Sequence, residues 1–276
     1  MTLDRRPRLA VQRFAPKAVA PRLPVVLLHS GGMSGRQWRK FAAELSESRE
    51  VYTPDFLGYG ESGPWPAGER FHTSLEILAL ERLLDELDEP GPSGATRPVH
   101  LVGHSYGGAI AFMTAFHRRR NVASVVAYEP PLFGVLDEPP ARPAPAVDDL
   151  EGWLRGFVDY WNVPGAWDAM PEGGKASFRA NGTKLFDEVQ CLLGDRTPAA
   201  TYATLSTPAL LLCGEHSPIA ARTVTDRIAA AMPEGRAVRI AEAGHMGPIT
   251  HAPAVHQHIT AFVDEVDDAI KSRQAP

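Results

Sequence analysis

Ser105 stands between two glycines in Gly103-His104-Ser105-Tyr106-Gly107, a spacing that suits a serine built to attack a carbonyl. The apolar run Pro98–Val102 precedes it and the helix-compatible run Gly108–Met113 follows. A turn this tight between strand and helix requires neighbours without bulk. It pushes the hydroxyl above the sheet edge, as in a nucleophile elbow. A serine hydroxyl is a poor nucleophile near neutral pH, so a base must lie within hydrogen-bond reach. Attack on a carbonyl also needs backbone N–H groups aimed at the oxygen where negative charge develops.

The elements that must position these groups alternate along the chain. Val25–Leu28 reads as a buried strand ending in the glycine loop His29-Ser30-Gly31-Gly32. The short strand around Val51–Thr53 leads into Asp55-Phe56-Leu57-Gly58-Tyr59-Gly60-Glu61-Ser62. Val11–Phe14, Val122–Tyr128, Thr207–Cys213 and Ala237–Ile240 complete the strands. Gln37–Glu47, Ser74–Leu87, Thr223–Met232 and Pro253–Lys271 read as helices. Within Ser74–Leu87 the acids Glu81 and Glu86 read as a solvated face, and Pro90–Gly94 breaks the chain before the strand that carries Ser105. The pattern predicts an α/β fold with a mostly parallel central sheet and helices on both faces. After the strand ending at Tyr128 the alternation stops. Glu138–Pro145 is too proline-rich for regular structure and reads as a hinge, and Trp153–Trp161 follows with Trp167 close behind.

Four motifs in this order, with Ala243-Gly244-His245-Met246-Gly247-Pro248 the last, resemble the α/β-hydrolase superfamily from about Arg8 to the C-terminal helix. The resemblance implies a core of residues 1–130 and 206–276 and an inserted helical lid over residues 131–205. It implies the chain order nucleophile, acid, histidine. His216, His245, His251, His256 and His258 lie late enough, and His245 sits in a loop able to lower its ring towards Ser105. Its expected role is to take the Ser105 proton and return it to the leaving group. Many relatives carry the acid as Gly-x-x-Asp, but here that loop reads Gly214-Glu215-His216-Ser217, with a neutral hydroxyl in its place. Glu129, directly after the strand that follows the nucleophile helix, is the expected acid, with Glu215 the alternative. The oxyanion donors are expected to be the amides of Tyr106 and Gly31, with Gly32 in reserve. Trp153, Phe157 and Trp161 either pack the lid itself or line an apolar substrate pocket. The Asp55–Ser62 motif is read as structural.

A chain of 276 residues with 44% apolar content can bury one large core. Its two cysteines give no disulfide framework, and Cys213 reads as a buried small hydrophobe. Met1–Arg6 lacks the apolar segment of a signal peptide, so a cytoplasmic location is expected. A net charge of −5 argues against nucleic-acid or anionic-membrane partners. Arg118-Arg119-Arg120 suits the negative end of the helix after Ser105. His256 and His258 diverge on their helix and make no metal pair. No phosphate loop appears and no cofactor or metal is implied; oligomeric state stays open. The expected activity is that of a serine hydrolase acting on a small, partly apolar carboxylic ester. Amides, lactones and C–C bonds use the same parts. Ser217 also leaves open a non-catalytic ligand binder with a degenerate triad.

Overall fold

Val25, Val26, Leu27 and Leu28 are all fully buried, because their strand is covered on both faces. Val26 and Leu28 join one hydrophobic cluster, while Val25 and Leu27 join the other on the opposite face. Such two-sided burial is worth about 2 kcal/mol per large aliphatic side chain. The computed structural model describes residues 4–65, 67–88, 97–117, 121–138, 140 and 149–274. The expected breaker at Pro90–Gly94, the basic cluster Arg118–Arg120, most of the proline-rich hinge and the first three residues lie outside the described residues.

The first half of the core runs β1 (Val11–Phe14), β2 (Arg22–Leu28), α1 (Arg39–Leu45), β3 (Arg49–Pro54), α2 (Thr73–Leu87), β4 (Val99–His104), α3 (Tyr106–His117) and β5 (Val122–Tyr128). An insert follows with α4 (Leu150–Trp161), α5 (Ala166–Ala169), α6 (Glu172–Gly194) and α7 (Ala199–Tyr202). The core then resumes with β6 (Ala209–Gly214), α8 (Ile219–Ala231), β7 (Gly235–Ile240), α9 (Gly247–Thr250) and α10 (Ala252–Gln274). The seven strands form one sheet in the order β1-β3-β2-β4-β5-β6-β7. Only β1 runs antiparallel to its neighbour. This is the expected α/β architecture. The helix expected from Gln37 differs at its start: Gly35–Trp38 forms a 3₁₀ turn, and the α-helix begins at Arg39.

One face of the sheet packs on α2, α3 and α8, the other on α1 and α10. Beneath the α10 face, His100 of β4 bonds Ser124 of β5 and Asp267 of α10, and Asp267 also pairs with Arg49. This buried network ties strands to helix far from Ser105. The insert has its own core of Trp153, Leu154, Val158, Trp167 and Leu185. Asp149 caps α4 by accepting from the Gly152 N–H at 2.8 Å. Among the described residues, no helix is long and apolar enough to cross a membrane.

Candidate active site

Strand ends make the first two functional positions by the same device. The Ser105 N–H continues the ladder to the Tyr128 carbonyl at 2.8 Å, and the Glu129 N–H continues it to Leu212 at 2.9 Å. Each residue then turns into the left-handed region, with φ of 52° at Ser105 and 50° at Glu129. Non-glycine residues hold such a conformation only where the surroundings enforce it, and such strain gathers at functional sites. Around Ser105 the enforcement is steric. A side chain at Gly103 would overlap the Gly107 backbone, and one at Gly107 would meet the Leu28 carbonyl oxygen at 2.5 Å. The two glycines are required because helix α3 and strand β2 approach there without room for a carbon.

Glu129 is buried and projects its carboxylate to the loop after β7. Its Oε2 lies 2.7 Å from His245 Nδ1. Its Oε1 accepts from the Gly214 N–H at 2.8 Å and from the Ser217 hydroxyl. Burial opposes the charge, but the His245 bond, with help from Ser217 and Gly214, brings the carboxyl below its ordinary range. Ser217, at the position where many relatives carry the acid, therefore supports an acid delivered from the neighbouring strand. Glu215, the alternative, is exposed and bonds the Glu242 N–H instead.

With Nδ1 held by Glu129, His245 is left with Nε2 for chemistry. Its loop is fixed from two sides. Tyr128 donates its hydroxyl to the Gly244 carbonyl at 2.7 Å, and His104 Nε2 donates to the His245 carbonyl at 2.9 Å. His104 is the residue before Ser105, so the histidine loop is tied directly to the elbow. Burial, with the nearby His245, pulls His104 down to about 3 and keeps it neutral. Its Nδ1 accepts from Gln37 Nε2 at 3.0 Å, and Gln37 Oε1 accepts from the Ser30 N–H at 2.9 Å. This chain from Ser30 through Gln37 and His104 to His245 was not read from the sequence. Gln37 lies on an ordinary surface-like turn, and only the fold brings it to His104.

The Ser30 amide is used by Gln37, so it is not a donor into the cavity. Gly31 lines the cavity over Ser105, and Gly32 is not among the lining residues. Tyr106 is the first residue of α3, where an amide has no acceptor within the helix. Gly31 and Tyr106 thus face the same space. That space is about 40 Å³ and is bounded mainly by apolar side chains, with Phe157 and Trp161 of the insert among them. The Trp161 ring also lies 4.2 Å from the His245 ring. Trp153 is placed differently from the expected pocket residue: it is absent from the lining and stacks on Phe157 within the insert's own core. Larger grooves of about 720 and 590 Å³ lie along α10 and beside β1, and neither contains Ser105, His245 or Glu129. Glu215, His216 and Glu242 bring ligand atoms within 4.8 Å of one another, but all three are exposed, as acidic groups often are without an ion.

Comparison with known proteins bears on the family and the fold. Over 122 residues the chain is 36% identical to the lipase LipV of Mycobacterium tuberculosis, covering 44% of this chain and 41% of that protein. It is 30% identical over 106 residues to a 2-hydroxymuconate semialdehyde hydrolase of a Pseudomonas species, covering 37% and 35%. The matched segments span between 12% and 51% of the first three curated relatives. A solved structure described as Est816, an N-acyl homoserine lactone degrading enzyme, superposes with a TM-score of 0.75 at 18% identity, covering 92% of this chain and 96% of the other. Residues 25–258 match the family described as the Alpha/beta hydrolase family. With that match across most of its length, the chain belongs to the alpha/beta hydrolase family.

Proposed function

We propose that the chain is a serine hydrolase that cleaves a small, partly apolar carboxylic ester through an acyl-enzyme on Ser105. The observation that carries this reading is the 2.7 Å bond between Glu129 and His245 Nδ1, beside a serine held at φ 52°. That bond orients the His245 ring and leaves Nε2 as the nitrogen that Glu129 does not engage.

Ser105 Oγ attacks the ester carbonyl carbon while His245 Nε2 takes the hydroxyl proton. The carbonyl oxygen becomes an oxyanion held by the Gly31 and Tyr106 amides. Glu129, kept ionised by its donors, stabilises the imidazolium. The intermediate collapses with cleavage of the carbon–oxygen bond, and His245 returns the proton to the departing alcohol. Water then attacks the acyl-serine, again with His245 as base, and releases the acid and free Ser105. The apolar lining from Phe133, Phe157, Trp161 and Leu192 favours a hydrocarbon acyl group, and the small volume favours a short one. The helices between β5 and β6 act as a lid over this cavity. A lactone or a C–C bond next to a carbonyl suits the same residues, and the structural neighbour named above is described as degrading an N-acyl homoserine lactone.

The test is a small fluorophosphonate added to the folded protein and to Ser105→Ala, read by intact mass. One adduct on the wild type alone supports the reading, and hydrolysis of 4-nitrophenyl acetate or butyrate should disappear with it in Ser105→Ala. A folded wild type that takes no adduct and turns over no ester overturns it.

A further inference from the structure

The insert carries charge to the cavity that the reaction on Ser105 does not use. Lys184 and Glu188 of α6 and Glu76 of α2 are all buried. Lys184 Nζ donates to Glu76 Oε1 at 2.9 Å and to Glu188 Oε1 at 2.5 Å. The ammonium also lies 4.0 Å from the Phe71 ring centroid and 4.8 Å from that of Tyr59, where a cation is attracted to the ring faces. Glu76 Oε2 accepts from the Leu57 N–H at 3.1 Å, and Glu188 Oε2 accepts from the Tyr59 hydroxyl at 2.9 Å. One ammonium thus faces two carboxylates, and the set has negative charge in excess when both are ionised. Burial raises both acids, Glu76 to about 7, and Lys184 limits the rise.

Of these three residues only Glu188 lines the cavity over Ser105. Its Oε2 lies 2.8 Å from where a side-chain carbon on Gly31 would stand, beside the candidate oxyanion amide. A carboxylate oxygen has two lone-pair positions, and the Tyr59 hydroxyl takes one of those on Oε2. Tyr106 lines the same cavity, and its phenol oxygen is buried with no hydrogen-bond partner among the described residues. A wall that held only hydrocarbon would be more stable with an apolar residue at 188, because a buried carboxylate costs desolvation energy. The Glu188 carboxylate at this end of the cavity therefore suits a polar substituent on the ligand.

Resting on the acyl-transfer reading above, we propose that Glu188 is a specificity-determining residue for the acyl part of the substrate. It accepts a hydrogen bond from an O–H or N–H donor on the first or second carbon beyond the scissile carbonyl, and it rejects acyl groups that carry a carboxylate there. The position follows from Gly31: the group whose amide faces the carbonyl oxygen is the group that Glu188 abuts. A buried acceptor left without its donor penalises the analogue that lacks it.

The test compares 4-nitrophenyl esters of 3-hydroxybutyrate, butyrate and hemisuccinate on the full chain. In the wild type, kcat/KM for the hydroxy ester should exceed that for butyrate by about tenfold or more, with hemisuccinate far below both. Glu188→Gln, which keeps the volume and removes the charge, should raise hemisuccinate relative to butyrate by about tenfold or more. Tyr59→Phe, which frees Glu188 Oε2 of its donor, should increase the hydroxy-to-butyrate ratio. Should Glu188→Gln not fold, the wild-type and Tyr59→Phe ratios decide. Labelling of Ser105 together with equal wild-type rates for hydroxy ester and butyrate overturns the role of Glu188 and leaves the hydrolase reading standing. If the protein neither labels nor turns over any ester, that reading fails instead. The role of Glu188 is then read by calorimetric titration of 3-hydroxybutyramide against butyramide, where equal affinity overturns it.

Discussion

The cavity over Ser105 has two walls, and they bury polar groups in different ways. On the core side His29 and His104 are neutral and each of their hydrogen bonds has one possible direction, and the one buried carboxylate at the site, Glu129, is held by His245, Gly214 and Ser217. His29 accepts the Phe56 N–H at Nε2 and so donates to the Ser30 carbonyl from Nδ1, with both bonds at 2.9 Å or less. His104 likewise has one nitrogen for Gln37 and one for the His245 carbonyl. On the insert side the buried groups are the ionisable pair Lys184 and Glu188, and the ammonium is shared with Glu76 of the core helix α2. A fully paired neutral network holds a geometry fixed. A charged set with an acceptor to spare can respond to a ligand. The core wall therefore suits the chemistry common to many substrates, and the insert wall suits the choice among them.

The strongest way to break this comparison is Glu129→Gln. The amide would keep an acceptor for Gly214 and Ser217 but would turn an N–H donor towards His245 Nδ1, forcing the proton onto Nε2. Esterase kcat should fall by about 10³- to 10⁴-fold with the fold retained by circular dichroism. Glu215→Gln should stay within about twofold, since the side chain is exposed and away from His245. An equal loss in both variants would detach Glu129 from the site.

How much of this was legible differs between the walls for the same physical reason. Ser105, Glu129 and His245 each sit in a short local pattern at a strand end, and glycines or prolines beside them report the backbone demand directly. The 2.7 Å meeting of Glu129 with His245 across 116 residues follows from a sheet that sets β5 and β7 on either side of β6, and alternation predicts a mostly parallel sheet. Nothing local marks Glu76 or Lys184. Glu76 reads as another solvated acid on an amphipathic helix, and its partner is 108 residues away on a helix the sequence hides. Helix α6 contains Gly173, Gly174 and Gly182, which are poor helix formers. Gly182 is there for packing, because a side-chain carbon would meet Leu150 of α4 at 3.0 Å. The role of Ser217 was also hidden: its type argued for a missing acid, and only the direction of Glu129 turns it into a donor.

The buried histidines and the carboxylates around Lys184 should also respond oppositely to acid. Burial pulls His29 down to about 4 and His104 to about 3, from an ordinary 6.5. Below pH about 6.5 the unfolded chain binds these protons and the folded one does not, so stability falls as pH drops. Glu76 is shifted the other way, up to about 7 from 4.5, chiefly by burial. Between those values the folded chain binds the extra proton, so this group adds stability as pH falls from about 7 to about 4.5. Each group contributes a slope of up to about 1.4 kcal/mol per pH unit. Urea midpoints from pH 7.5 to 5 should therefore fall less steeply for His104→Gln than for wild type and more steeply for Glu76→Gln. Three parallel curves would remove the distinction between the two buried sets.

The finest division lies inside the insert, between two tryptophans eight residues apart on α4. Trp161 lines the cavity and its ring lies 4.2 Å from that of His245, so its loss should reach both the substrate and the proposed base. Trp153 is buried against Phe157 and Phe186 and touches neither. Trp161→Leu should lower kcat/KM by about 5- to 30-fold, the range set by removing part of an apolar pocket contact. Trp153→Leu should instead destabilise by about 1–3 kcal/mol through the space left in the insert's core, with kcat/KM within about twofold at a temperature where the fold is intact. Thermal melts and ester kinetics on both variants separate the two outcomes. If Trp153→Leu moves KM as far as Trp161→Leu does, packing within the insert is transmitted to the cavity. The insert would then act on the substrate as one body, and the choice among substrates would belong to its whole packing rather than to the residues that touch the ligand.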